Sequence, residues 1–257
     1  MEKAKNFVFG INPVLEKLKA SPDEVLEILF AEGPERQSLR SISVAASQHG
    51  VRVTYVHPSR LDRLADGQRH QGVLANVQPY GHLEMNDLLQ RISTSSGAAR
   101  VLVLDGLTDP RNFGALLRTA EATGVQHVLI PKDRSVDVTP VVVKASAGAA
   151  HHLNVYKATN LRRAIVALKK CGFWIVGLDA QSPQSIYART YPERLAIVLG
   201  SEGKGVRPIN LQECDFLVSI PMLGKVASLN VAVAGAVFLY ETLRQNHTID
   251  TDGGKRY

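Results

Sequence analysis

The chain has 257 residues, 45% of them hydrophobic, which exceeds the usual size of one compact domain and is enough to fill buried cores. We therefore expect two domains. No run of about 18 apolar residues and no signal-peptide stretch occurs, so we expect a soluble, cytoplasmic protein without a membrane segment. Cys171 and Cys214 are far apart in the chain. Their spacing excludes a thiolate-rich zinc site, and we expect no bound metal.

The net charge of +6 and the pI near 9.4 favour a polyanionic partner. The excess is concentrated late in the chain: residues 99–245 carry 17 Lys and Arg against 11 Asp and Glu, whereas residues 1–78 carry 10 against 9. A basic surface in this later part would bring nucleic acid to the chemistry. A solvated basic surface without a partner explains the charge as well.

In the first part of the chain, apolar β-rich runs alternate with helical patterns. Predicted strands cover residues 25–30, 51–56 and 72–77, and predicted helices cover residues 13–18 and 39–48. This alternation predicts a small α/β domain over residues 1–78. Residues 79–99 are then polar and small around a short helical piece at 85–92, which is typical of a linker.

In the later part of the chain, short apolar runs are separated mostly by helix-length segments. These predicted strands cover residues 101–104, 127–130, 173–178, 195–199 and 216–220. The pattern predicts a largely parallel sheet, covered on both faces, in a domain over residues 100–245. Residues 228–244 are predicted to form a helix that is apolar almost all round, and such a helix must be buried within the fold or against another subunit. Residues 246–257 are polar and predicted to be disordered.

The two commonest nucleotide-binding patterns are missing from this sequence. The Gly203 and Gly205 pair is not completed to G-x-G-x-x-G by a third glycine, and no G-x-x-x-x-G-K-[ST] occurs. Their absence disfavours a Rossmann dehydrogenase, a Rossmann methyltransferase and a P-loop NTPase.

Three other segments stand at the ends of predicted strands, where open α/β sheets place their ligand crevices. The first carries Asn112 and Arg118, with Pro110 and Gly114 bracketing a predicted turn before a helix. The second, residues 195–206, turns from a buried strand into a glycine-rich loop. The third, residues 220–234, runs from a strand end into the apolar helix, with Ser228 as a predicted N-cap. Taken singly, each segment is equally explained as a turn, a surface loop or a structural cap.

The joint order of these segments is more specific. N-x-G-x-x-x-R from residue 112, G-S-E-G-x-G from 200 and I-P-M-x-G-x-x-x-S-L-N-V from 220 closely resemble the three signature motifs of the TrmH-like (SpoU) branch of SPOUT methyltransferases. F-G-I-N-P-V-L-E from residue 9 and R-H-Q-G-V-L-A from 69 resemble the substrate-binding domain of the bacterial 23S rRNA (guanosine-2'-O-)-methyltransferase type. The resemblance therefore runs nearly end to end.

The resemblance implies a parallel α/β sheet with a trefoil knot at the C-terminal end, an N-terminal RNA-binding domain and a homodimer. It also implies methyl transfer from S-adenosylmethionine to a ribose 2'-hydroxyl of RNA, with a guanosine of 23S ribosomal RNA as the expected target. The expected cofactor-binding residues are Leu199, Gly200, Glu202, Gly203, Ile220, Met222, Ser228 and Leu229.

By the same resemblance, activation of the hydroxyl falls to Arg118, helped by Asn112, Glu202, Ser228 and Asn230. A guanidinium stays protonated in proteins, so a role for Arg118 as a literal base is chemically awkward. We therefore expect Arg118 to bind the target phosphate and stabilise the developing alkoxide.

Several basic residues are expected to contact RNA. They are Arg111, Lys132, Arg134, Lys144 and, within the N-terminal resemblance, His70; solvated charge is an equal reading for any one of them. Two other functions stay open from sequence: a tRNA 2'-O-methyltransferase, and a non-catalytic RNA-binding or ribosome-assembly protein. The completeness of the motifs favours an enzyme over the second of these.

Overall fold

The computed structural model describes residues 6–33, 37–67, 69–78, 81, 83–94, 97–226 and 228–246. The chain forms two compact units. The first unit comprises Met1–Gly81, Asp109–Glu121 and Val136–Leu153, and the second comprises His82–Thr108, Ala122–Ser135 and Asn154–Tyr257. The predicted disordered tail lies outside the described residues, apart from its first residue.

The first unit contains a mixed four-stranded sheet. Its strands are β1 Asn6–Phe9, β2 Val25–Ala31, β3 Val53–Val56 and β4 Val73–Val77, in the order β1-β4-β2-β3. Only the β2–β3 pair is parallel. Its helices are α1 Ile11–Ala20, α2 Arg40–Gln48, α3 Pro58–Ala65, α5 Pro110–Ala122 and α6 Pro140–Ala145, with short 3-10 turns at Pro22–Glu24, Gln37–Leu39 and Ala149–His152. The three predicted strands are confirmed, whereas β1 was missed because it has only four residues.

The core of the first unit follows from the periodicity of its elements. Phe7 and Phe9 alternate on β1, so both point to the same face of the sheet. There they join Leu29 and Leu74 from the neighbouring strands and Leu61 from α3, all at most 8% exposed. Burial of such side chains contributes roughly 1.5–3 kcal/mol each, so this cluster stabilises the sheet substantially.

The second unit contains a seven-stranded sheet in which every pair of neighbours is parallel. Its strands are β5 Leu83–Glu84, β6 Ala99–Asp105, β7 His127–Pro131, β8 Asn154–Ala158, β9 Trp174–Leu178, β10 Arg194–Gly200 and β11 Phe216–Val218, in the order β11-β9-β10-β6-β7-β8-β5. Its helices are α4 Met85–Thr94, α7 Leu161–Lys170, α8 Pro208–Leu211 and α9 Val231–Asn246. The predicted parallel sheet is confirmed, and the strands β5 and β8 are additions to it.

The central strands of this sheet, β6 and β10, are buried over most of their length. This burial explains why both appear in the sequence as unbroken apolar runs without alternation. Helix α4 contributes Leu88 and Ile92 to the same core, at 0% and 1% exposure. The described part of the expected linker, residues 83–94, thus provides an edge strand and a core helix to the second unit.

Two local predictions are wrong. Helix α5 begins at Pro110, so Asn112 and Gly114 lie within the helix and not in a turn before it. Gly114 is required there by packing, because a Cβ would lie 2.5 Å from the Cβ of Ala145. Ser228 does not cap the last helix, since α9 begins at Val231 and the side chain of Asn230 accepts the hydrogen bonds of its first turn.

None of the described helices is long and apolar enough to cross a membrane.

Candidate functional site

A cleft of about 540 Å³ lies at the carboxyl ends of β9 and β10, and we call it the cofactor cleft. Three chain segments form its walls: residues 178–181, residues 199–205 and the stretch from 219 to 234. All eight residues expected to bind the cofactor line it, namely Leu199, Gly200, Glu202, Gly203, Ile220, Met222, Ser228 and Leu229. The structure therefore brings together residues that are up to 30 positions apart in sequence. Their position at the carboxyl edge is where parallel sheets bind ligands.

The glycine-rich loop makes one wall of the cofactor cleft by close approach of main chain to main chain. A Cβ at Gly200 would lie only 1.8 Å from the carbonyl carbon of Gly205, so no other residue fits at position 200. Ser201 and Gly205 exchange backbone hydrogen bonds of 3.1 and 2.9 Å, which closes a tight turn. Gly203 at the tip of this turn has φ 76°, a left-handed conformation that glycine adopts readily.

Glu202 and Asn230 connect the glycine-rich loop to helix α9. The Asn230 side-chain amide donates a 2.7 Å hydrogen bond to a carboxylate oxygen of Glu202. The side-chain carbonyl oxygen of Asn230 accepts hydrogen bonds from the backbone N–H groups of Ala232 and Val233 at 2.9 and 3.3 Å. Asn230 is thus both the helix cap and the partner that orients Glu202.

Asp105, at the end of β6, anchors the chain just beyond the loop. Its buried carboxylate accepts hydrogen bonds from the Arg207 backbone N–H at 2.8 Å, the Arg207 guanidinium at 2.6 Å and the Asn210 side chain at 2.8 Å. Sequence reasoning missed Asp105 and residues 178–181. For both, the available signal was their place at the carboxyl end of a predicted strand.

The remaining walls of the cofactor cleft are apolar and partly open to solvent. Met222 and Leu229 are 38% and 37% exposed, which is high for large apolar side chains. A cleft that combines apolar side chains with main-chain donors and acceptors suits a flat, partly polar ring system. Among the described residues, no group of three or more His, Cys, Asp or Glu side chains could hold a metal ion.

Asn112 and Arg118 lie on helix α5 in the first unit. Asp109 caps this helix, since its side chain accepts from the Arg111 backbone N–H at 2.9 Å and from the Asn112 side-chain amide at 3.1 Å. Arg111 and Arg118 are both exposed and seven residues apart, so they share one face of the helix. A spacing of seven residues separates them by roughly 10 Å along the helix axis.

The five expected RNA contacts are divided between the two units. Arg111, Lys144 and His70 belong to the first unit, and Lys132 and Arg134 belong to the second. Both ring nitrogens of His70 have partners within the chain: Nε2 lies 2.9 Å from Asp62, and Nδ1 accepts from the backbone of Gly72. The His70 imidazole thus orders its own loop, and only its ring faces are left for RNA.

His151, in the first unit, is the most perturbed histidine among the described residues. Burial, together with the smaller effect of the nearby charges of Lys17 and His152, lowers the pKa of its ring from 6.5 to about 3. Neither ring nitrogen has a hydrogen-bond partner among the described residues. His151 is therefore neutral at physiological pH.

Two family models match the chain. Residues 99–240 match the SpoU rRNA methylase family, and residues 7–83 match the RNA 2'-O ribose methyltransferase substrate-binding family. The three motifs and all eight residues expected in the cofactor cleft fall within the first of these matches.

Individual relatives agree over nearly the full length. The 23S rRNA (guanosine-2'-O-)-methyltransferase RlmB of Xylella fastidiosa is 40% identical over 95% of this chain and 98% of its own. RlmB of Pseudomonas putida is 40% identical over 93% of this chain and 96% of its own. Among solved structures, the SpoU methyltransferase AviRb of Streptomyces viridochromogenes, in complex with the cofactor AdoMet, superimposes with a TM-score of 0.76 at 23% identity, covering 93% of this chain and 90% of AviRb. AviRb at this identity shows the fold alone.

Proposed function

The chain belongs to the SpoU rRNA methylase family, and we propose that it transfers a methyl group from S-adenosylmethionine to the ribose 2'-hydroxyl of a guanosine in 23S ribosomal RNA. One observation supports this most directly. Eight motif residues from two separate segments meet in a single cleft at the carboxyl edge of the parallel sheet. The nearly full-length match to proteins named for this reaction supplies the substrate.

The cofactor cleft fits S-adenosylmethionine by size and by chemistry. Its volume of about 540 Å³ lies within the usual range for small-molecule sites. Main-chain groups of Gly200, Ile220 and Leu229 would hold the adenine and ribose, with Leu199 and Met222 as apolar walls. When bound, S-adenosylmethionine supplies an electrophilic methyl group on a positively charged sulfur.

In this proposal, Arg118 acts on the RNA. Its guanidinium binds the target phosphate and stabilises the negative charge that develops on the 2'-oxygen. The guanidinium stays protonated, so the hydroxyl proton leaves to the phosphate or to water. Asn112 helps to orient the ribose. Ser228 lines the cofactor cleft and is assigned to the same catalytic set by the family motif.

Glu202 acts as a positioning residue in this scheme. Its carboxylate is held by Asn230, which also caps α9, so the loop is connected to the start of the helix. This connection gives the loop a defined shape before any ligand arrives, and a preformed site loses less conformational entropy on binding.

We also propose a finer architecture: a trefoil knot at the C-terminal end, as the family implies, with residues 1–78 as an RNA-binding domain, 79–99 as the linker, 100–245 as the methyltransferase domain and 246–257 as the tail. Within this linker, residues 83–94 also pack on the second unit. The match of residues 7–83 to a substrate-binding family supports the first assignment. Action on ribosomal RNA would place the enzyme in the cytoplasm.

A homodimer is part of the same proposal. Helix α9 exposes Val233 at 49% and Tyr240 at 50%, on one side of an otherwise buried helix. An exposed apolar stripe of this kind is typical of a subunit interface. Light scattering at micromolar concentration should show a dimer, and a monomer would count against the interface.

The proposed function is tested by incubating the protein with labelled S-adenosylmethionine and either unmodified 23S ribosomal RNA or unmodified transfer RNA. We expect label at one guanosine ribose of the ribosomal RNA. Label only in transfer RNA would establish the alternative tRNA 2'-O-methyltransferase. Transfer to neither RNA would favour the non-catalytic RNA-binding or ribosome-assembly protein.

The role of Arg118 is tested with Arg118→Lys. This change keeps the charge but loses the planar fork of donors, and we expect kcat to fall by about 10²–10³ with unchanged affinity for S-adenosylmethionine. Turnover near normal with an unchanged pH profile would eliminate a specific guanidinium role.

A further inference from the structure

A second cleft, of about 1040 Å³, lies in the second unit at the carboxyl ends of β7 and β8, and we call it the basic cleft. It is bordered by the start of helix α7 and by α8. Five of its lining residues are cationic, Arg134, Arg162, Arg163, Lys170 and Arg207, against one acidic residue, Asp133. Its lining therefore carries a clear excess of positive charge.

Two of these cations are already paired. Arg207 binds the buried Asp105 at 2.6 Å, and Arg162 binds Glu213 at 2.7 Å. Arg134, Arg163 and Lys170 form no ion pair with any side chain in the described part of the chain. Three exposed positive charges are thus available to an external anion.

The three available charges are spread out along the basic cleft. Arg163 and Lys170 are seven residues apart on α7, so they share a helix face and are separated by roughly 10 Å along its axis. Arg134 lies on the loop after β7 and has φ 55°. This spacing fits successive negative charges on a chain better than one compact anion.

The wall between the basic cleft and the cofactor cleft is the chain segment Gly205 to Arg207, although no single residue lines both clefts. Gly205 lines the cofactor cleft and Arg207, two residues later, lines the basic cleft, so their backbones are at most about 7 Å apart. Asp105 holds Arg207 at the end of β6, which fixes this wall in place. An RNA strand whose reactive ribose lies at the cofactor cleft would continue into the basic cleft.

The lining also indicates which part of a nucleic acid would bind. Among the described residues that line the basic cleft there is no Phe, Tyr, Trp or His, so the cleft offers no aromatic ring for base stacking. Its arginine and lysine side chains suit phosphates, and phosphate contacts position a nucleic acid without reading its sequence.

We propose that the basic cleft binds backbone phosphates of the substrate RNA next to the methylated nucleotide, through Arg134, Arg163 and Lys170. This inference rests on the proposed function, because it takes RNA as the substrate of the neighbouring cleft. It adds a contact surface within the methyltransferase part of the chain to the expected RNA-binding domain.

The experiment compares the double variant Arg163→Gln/Lys170→Gln with wild type. Lys169→Gln is the matched control: it removes a charge from the same turn of α7, but Lys169 pairs with Asp215 at 2.8 Å and does not line the basic cleft. Equilibrium binding of unmodified 23S ribosomal RNA transcribed in vitro is measured at several salt concentrations, together with binding of S-adenosylmethionine and thermal unfolding.

We expect the double variant to bind the RNA roughly tenfold more weakly than wild type. The slope of log K against log salt, where K is the association constant, should become less negative by about 1.5, since two phosphate contacts are lost. Lys169→Gln should change the slope by less than about 0.5, and all three proteins should bind S-adenosylmethionine equally. Unchanged RNA affinity and slope in the double variant would overturn the basic cleft as an RNA site. A loss in Lys169→Gln of half that in the double variant, or more, would also overturn it, because the losses would then follow the number of charges removed and not their position.

Failure of the proposed function is a separate result. If the double variant shows the expected loss of RNA affinity and change in slope but wild type transfers no methyl group to any RNA, the enzyme assignment fails while the basic cleft stands. If wild type methylates the RNA and the double variant binds RNA normally, the enzyme assignment stands and the basic cleft fails.

Discussion

The cofactor cleft and the basic cleft are neighbours built by opposite means. The first is shaped by main chain and glycine, with Gly200 packed directly against Gly205. The second is shaped by long side chains on a helix and a loop, and it acts through their charge. A site made of backbone tolerates almost no added volume, whereas a site made of exposed charges weakens by degrees. The two clefts should therefore respond differently to small changes, and this difference can be measured.

The largest effect is expected from Gly200→Ala. The new methyl group would overlap the Gly205 carbonyl, so the loop must move, and we expect about 3 kcal/mol or more of destabilisation together with loss of S-adenosylmethionine binding. Chemical denaturation and calorimetric titration measure the two effects.

Gly203→Ala is the matched control in the same loop. A Cβ there meets no atom within 4 Å, so only the backbone strain at φ 76° remains. We expect a loss of about 1 kcal/mol. Equal effects at positions 200 and 203 would show that close packing does not define the cofactor cleft.

The next largest effect is the pH dependence of stability that arises from His151 in the first unit, away from the residues that line the two clefts. The pKa of His151 is about 3 in the fold and near 6.5 when unfolded, so protons bind preferentially to the unfolded chain between these values. Stability from this group is fully present above pH 6.5 and is lost as the pH falls towards 3. At pH 5 the loss is about 2 kcal/mol.

His151→Leu tests this origin. The unfolding free energy of the variant should fall by about 2 kcal/mol less than that of wild type between pH 7 and 5, as measured by denaturation at each pH. Titration at pH 7 should show that S-adenosylmethionine and RNA bind as in wild type. If the slope of stability against pH is the same in the variant, His151 is not its source.

The smallest effect concerns the connection between the glycine-rich loop and α9. Asn230→Ala removes the helix cap and the donor to Glu202, and we expect a loss of about 1 kcal/mol in unfolding free energy. Asn230→Ser keeps a capping oxygen but cannot reach Glu202 with an amide, so it should recover most of the stability. Both variants should bind S-adenosylmethionine equally weakly if the Glu202 contact orders the loop; full binding by Asn230→Ser would assign Asn230 to capping alone.

Much of this molecule was predictable from local sequence. The buried runs of β6 and β10 predicted central parallel strands, because only strands covered on both faces are apolar throughout. The three motifs predicted the cofactor-cleft residues through their resemblance to a family. The helix limits were less predictable. The reason is that serine suits either an N-cap or a turn, and proline suits either a turn or the first turn of a helix. In the structure, Asn230 rather than Ser228 caps α9, and Pro110 starts α5.

The parallel sheet, the glycines that its loops require and the excess of positive charge in the later part of the chain could all be predicted from the order of the amino acids. Three other facts depend on the folded chain: Asp105 anchors Arg207, residues 178–181 line the cofactor cleft, and Arg163 and Lys170 face a cleft while Lys169 pairs with Asp215. The physical reason is that each of these facts depends on contacts between segments far apart in sequence. Propensity and periodicity describe one segment at a time, and they do not specify which segments meet.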